Sequence, residues 1–144
     1  VIPSNALCLA YLDPYNLEYL SFSVIQKLAR LTYIDFAVHF STLDLRGNVL
    51  MEYNRERARF DAAAAGWRQH VDPAAFVRGD ADEAFFDYWC GLVRTLGFSI
   101  SQRMPLVRDE GNRPLYHLVF FSRHELPNRI WGDVAQGVNR ELDF

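Results

Sequence analysis

The chain has 144 residues, 50% of them hydrophobic, and a formal net charge of -3. That composition excludes a disordered chain and provides the core of one domain, and the charge, spread evenly over both halves, lends no electrostatic support to a nucleic-acid or membrane-surface role. No apolar run approaches the roughly 20 residues needed to cross a bilayer, and no secretory leader pattern is present. Lys27 is the only lysine among 15 basic residues. Cys8 and Cys90 sit among apolar neighbours and read as buried thiols, which fits a reducing cytoplasm.

In chain order, Ala6 to Leu12 is a short apolar run that stops at Asp13-Pro14-Tyr15-Asn16. It reads as a buried parallel strand delivering a polar loop to the carboxyl edge of a sheet, where open α/β sheets bind ligands. Leu20, Val24, Ile25, Leu28 and Leu31 recur at helical spacing, with Ser21 or Ser23 as cap. Tyr33 to Phe40 is a second apolar strand, so strand, helix and strand form a crossover unit. Ser41 to Asn48 reads as a polar turn at the same edge as Asp13, followed by a helix over Leu50 to Ala65 that Gly66 and Trp67 end.

Asp72-Pro73 opens a short turn, and Asp80 with Glu83 has the spacing of a capping box for a helix carrying Phe85, Trp89, Leu92 and Leu96 and ending at Gly97. Phe98 to Val107 then alternates as a strand, broken at Gln102. A turn over Glu110 to Pro114 leads to a strand over Leu115 to Phe121, and so short a link makes the two antiparallel. A closing helix spans Pro127 to Gln136, with Ile130, Trp131 and Val134 as its buried face and Gly137 as its stop.

The order resembles the second half of the Rossmann-like fold of S-adenosylmethionine-dependent methyltransferases, in which Asp13-Pro14-Tyr15-Asn16 stands where an Asp/Asn-Pro-Pro-Tyr/Phe motif follows the fourth strand. It has one proline where that motif has two. A closer resemblance is to the three-Cys-motif partner proteins, a bacterial family. The residues that carry it are Leu12-Asp13-Pro14-Tyr15, Leu45-Arg46-Gly47-Asn48, Arg59-Phe60-Asp61 with Trp67, and Leu118 to His124 with Trp131.

The resemblance implies an α/β fold, a Rossmann-like half-sheet of two parallel strands with helical crossovers and a C-terminal antiparallel hairpin, over residues 1–144. It also implies S-adenosylmethionine as cofactor, bound by a glycine-rich loop that this chain does not supply. The expected polypeptide is therefore longer, with its amino-terminal half, or a second chain, pairing along strand 7–12. A partner protein with a cysteine motif is a further expected contact.

Asp13, Pro14, Tyr15 and Asn16 are the candidate catalytic residues. Asp13 and the Pro14 carbonyl would accept hydrogen bonds from a nucleophilic amine, and Tyr15 would stack on a planar ring. Arg46 and Asn48, leaving the neighbouring strand at the same edge, and Arg123 with His124 are the candidate substrate-binding residues. His39, His70, His117 and His124 lack ligand spacing, so no metal site is expected. The rivals are a catalytically inert Rossmann-like adaptor that docks on a neighbouring protein, and a nuclease using Asp13 with Glu18 as metal ligands.

Overall fold

A computed structural model describes residues 2, 3 and 5–141, with side chains to Gln136. The fold is mixed α/β: an open five-stranded sheet, mostly antiparallel with one parallel pair, and six helices. Strand β1 (Cys8–Leu12) runs parallel to β2 (Ile34–Ser41), Cys8 opposite Ile34 and Leu12 opposite Val38. Helix α1 (Phe22–Leu28) makes the crossover.

The last strand of the chain, β5 (Pro114–Ser122), inserts antiparallel beside β2, with Phe36 opposite Phe121 and Ser41 opposite Tyr116. On its other side lie β3 (Ser99–Ile100) and β4 (Leu106–Arg108), both antiparallel to it. They are the two ends of the single alternating run expected over Phe98 to Val107. The main chain keeps contact across the break, since Ser101 N–H donates to Phe120 O and Leu118 N–H to Pro105 O, each at 2.9 Å. The antiparallel hairpin and the single parallel pair thus form as expected.

Alternation along β2 and β5 decides the faces. Phe36, Val38, Phe40, Val119 and Phe121 point to one side and are buried. Helix α5 (Ala81–Thr95) covers them with Phe85, Trp89, Cys90 and Val93, one helical stripe. On the opposite face α6 (Glu125–Glu141) lays Trp131 flat on Phe120, with ring centroids 5.1 Å apart and 11° between planes. The β1 half of that face carries Leu9 and Tyr11, 66% and 61% exposed. Among the described strands, β1 pairs only with β2.

Several boundaries differ from expectation, each for a local reason. The stretch from Thr42 onward is a helix, not a turn: Ser41 Oγ accepts from Asp44 N–H at 3.3 Å and starts α2 (Thr42–Tyr53) directly at the strand end. That helix stops at Tyr53 instead of continuing to Ala65. The buried Glu52 carboxylate takes Arg59 N–H at 2.9 Å, folding the chain back through a 3-10 turn at Arg59–Asp61. Gly66, left-handed at φ 80°, opens the short α3 (Trp67–His70); a Cβ there would meet the Tyr88 hydroxyl at 3.3 Å.

The Asp72-Pro73 pair does start a helix, α4 (Pro73–Arg78), with Asp72 capping Ala74 N–H at 2.8 Å. Asp80 occupies the cap position of α5, but its carboxylate turns back to Arg78 at 2.9 and 3.2 Å, so the capping box is not made. The closing helix begins at Glu125 and runs through Gly137 to Glu141, its two glycines, Gly132 and Gly137, each being a modest penalty inside so long a helix.

Candidate functional site

Where β1 ends, the parallel register that sets Leu12 opposite Val38 brings the next residue, Asp13, beside His39. Asp13 Oδ1 and His39 Nδ1 are 2.6 Å apart, with the aspartate 56% exposed and the histidine 21%. An ionised carboxylate only accepts, so Nδ1–H is the donor, and in the neutral ring Nε2 carries the lone pair. Tyr116 of β5 packs edge-on against the imidazole, with centroids 3.9 Å apart. Tyr11 stands one pleat behind Asp13. Partial desolvation first, then the Asp13 charge and Tyr116, raise its phenol above the ordinary tyrosine value.

The loop beyond is firmly anchored on one side and open on the other. Leu17 N–H donates to Asp44 Oδ2 at 2.9 Å, and Asp44 Oδ1 in turn accepts from Asn48 Nδ2 at 2.9 Å. Asn48 therefore acts on the loop indirectly, by orienting the aspartate that holds it. Asn16 reaches toward Glu18 at 3.5 Å, while Tyr15 is 91% exposed and leaves its ring free at the rim. Arg46 points the other way from Asp13's loop, to Asp82 of α5 at 3.2 Å.

Arg123 and His124 do not join this group. Because β5 runs against β2, its carboxyl end lies at the opposite end of the sheet. There Arg123 donates to the carbonyls of Ala29, Leu31 and Leu96 at 2.7, 3.2 and 3.2 Å and covers the Phe98 ring at 4.1 Å. It closes the end of α1 and the end of α5. His124 stacks on Tyr33, which precedes β2.

His39 and Tyr116 are the residues that reading the sequence missed as site members. The available signal was pleat phase: an aspartate just beyond one parallel strand and a histidine near the end of the next share a face once the register is known. Cys90 is no nucleophile, since burial pushes its thiol up to about 12.

Among the described residues no group of three or more His, Cys, Asp and Glu side chains could hold a metal ion. A cradle for an adenosyl cofactor is also missing from these loops. Positions 13–16 contain no glycine, Ser41 passes directly into α2, and the left-handed glycines Gly66, Gly79 and Gly97 lie elsewhere. No helix of the described residues is long and apolar enough to cross a membrane. Searches of family models, curated proteins and solved structures find no match to this chain.

Proposed function

We propose that this chain is the acceptor side of a methyltransferase-type enzyme, in which Asp13 and His39 together take the proton from the attacking group. The observation that carries the reading is the 2.6 Å contact between Asp13 and His39 at the carboxyl end of the parallel pair, with the exposed Tyr15 beside it. Asp13 fixes the imidazole tautomer and steadies the imidazolium, and Nε2 accepts the proton of an amine or hydroxyl. Such a base contributes about 10²–10⁴-fold to rate. Tyr15 offers a planar face to a planar acceptor.

The insertion of reversed β5 between β2 and its hairpin partners supports the methyltransferase-type reading, because it is the kind of edge hairpin that the resemblance implies. S-adenosylmethionine supplies the electrophilic methyl group when bound. In this reading the described residues hold and deprotonate the acceptor.

One observation favours the second reading, an inert docking module: among the described residues the outer edge of β1 is unpaired, and Leu9 and Tyr11 beside it are exposed. Calorimetry of the complete gene product with S-adenosylmethionine separates the two. Saturable heat with a matching rise in melting temperature is expected of the enzyme. No heat and no thermal shift at millimolar cofactor overturns the enzymatic reading and leaves the docking module.

A further inference from the structure

On the other face of the same sheet corner lies a cavity of about 340 Å³ that Asp13 and His39 do not reach. Strand alternation makes the division: His39 and Tyr116 point to one side, Phe40 and His117 to the other. The cavity is an open cleft bounded by the first turns of α2 and α5 and by the β4–β5 hairpin. One wall is the His117 imidazole, stacked on Phe86 at 4.8 Å and bonded through Nδ1 to Thr42 Oγ1 at 2.9 Å. Phe40, Leu45 and Leu106 supply apolar lining.

The charges at the rim are unevenly satisfied. Arg46 and Asp82 pair at 3.2 Å and cancel. Glu83 and Asp87, exposed and one turn apart on α5, make no ion pair among the described residues. Arg108 of β4 also lines the cavity, its Nη1 donating to Asn112 O at 2.9 Å while its charge has no acidic partner among the described residues. Burial lowers the pKa of His117 below the ordinary histidine value, with Arg108 adding to the effect and Asp82 opposing it, so the ring enters as a neutral surface at pH 7.

We infer that this cavity binds a small zwitterion with an apolar or aromatic body, of the build of a free α-amino acid. Its ammonium sits at Glu83 and Asp87, its carboxylate at Arg108, and its body on the apolar lining. A volume at the small end of the range for ligand cavities suits an occupant of that size. A molecule with only one of the two charges leaves either the acidic pair or the guanidinium unmatched. The site stands independently of whether Asp13 and His39 perform transfer.

The test is an amide NMR titration with L-phenylalanine, with phenethylamine and phenylacetate as single-charge controls. Saturable shifts over residues 82–87 and 106–117 are expected with L-phenylalanine, and binding of each control is expected to be at least about tenfold weaker, the equivalent of one unmatched charge. The double variant Glu83→Gln/Asp87→Asn and the single variant Arg108→Gln each weaken L-phenylalanine binding by a similar factor. All three side chains are exposed, and unchanged melting confirms that the variants fold. No saturable shift with L-phenylalanine overturns the inference. Equal binding of either control, or unchanged affinity in both variants, does so as well.

Discussion

Glu52 is fully buried, and its carboxylate accepts from Arg59 N–H at 2.9 Å and Arg59 Nε at 3.0 Å. Arg68 adds a donor to the Glu52 carbonyl at 2.7 Å and a further pair with Asp61. Removing Glu52 leaves the Arg59 N–H and the part-buried guanidinium without their acceptor, at a cost of about 1–3 kcal/mol. Glu52→Ala is therefore expected to lower the urea midpoint sharply, while Glu56→Ala, at an exposed position, leaves it nearly unchanged. Equal effects of the two would contradict this account of the 54–68 segment.

His117 gives stability a pH dependence of known sign. Its folded pKa is lowered, chiefly by burial, against an unfolded value of about 6.5. The unfolded chain thus binds the proton first, so the stabilisation is fully present above about pH 6.5 and is lost as pH falls from there through the folded value. In urea titrations between about pH 7 and pH 5, His117→Gln should flatten this decline. An unchanged slope would remove His117 as its source.

At the scale of elements, the join between the β1 loop and α2 rests on one side chain. Asp44→Ala leaves the N–H of the buried Leu17 without a partner, which costs about 1–3 kcal/mol. Hydrogen exchange should show loss of protection at Leu17 and in the 13–16 loop first, with the β2–β5 ladder unaffected. Uniform loss across the sheet would mean that Asp44 is not a local pin. Glutamate at this position is one methylene longer and is not expected to restore the 2.9 Å bond.

How far the sequence spoke at this scale depended on whether the deciding interaction was local. The stripe of α5 is periodic and β5 is one largely apolar run, and both elements stand where the pattern put them. The start of α2 at Thr42 was hidden because Ser41 serves as the end of a strand and the cap of a helix at once. The end of α2 was hidden because it depends on a contact between Glu52 and Arg59, seven residues apart. Asp13 was legible as the residue ending β1 at the sheet's carboxyl edge, whereas His39 needed the register, and Arg123 lies at the far end of the sheet because β5 runs the opposite way.

Across the whole molecule, β1 is the exposed margin. Its outer edge has no described partner, and no charged residue interrupts positions 5–12. Native sheets protect such edges with lysine, proline or a bulge, none of which occurs here between Cys8 and Leu12. Leu9→Lys should reduce concentration-dependent association in light scattering while changing stability by no more than about 0.5 kcal/mol, as expected of an exposed position. Unaltered association would show that this face is not what self-associates.

Two faces of one sheet corner thus carry separate groups of side chains, the Asp13–His39 pair on one and the His117 cavity on the other. The most direct test of the enzymatic claim is transfer of tritiated methyl from S-adenosylmethionine. The complete gene product is incubated with lysate of cells lacking the gene, and wild type is compared with Asp13→Asn and His39→Gln. The proposal predicts incorporation by wild type and about a 10²–10⁴-fold loss in both variants, with melting temperatures unchanged. Incorporation at wild-type rate in either variant, or none by the wild type, would contradict it.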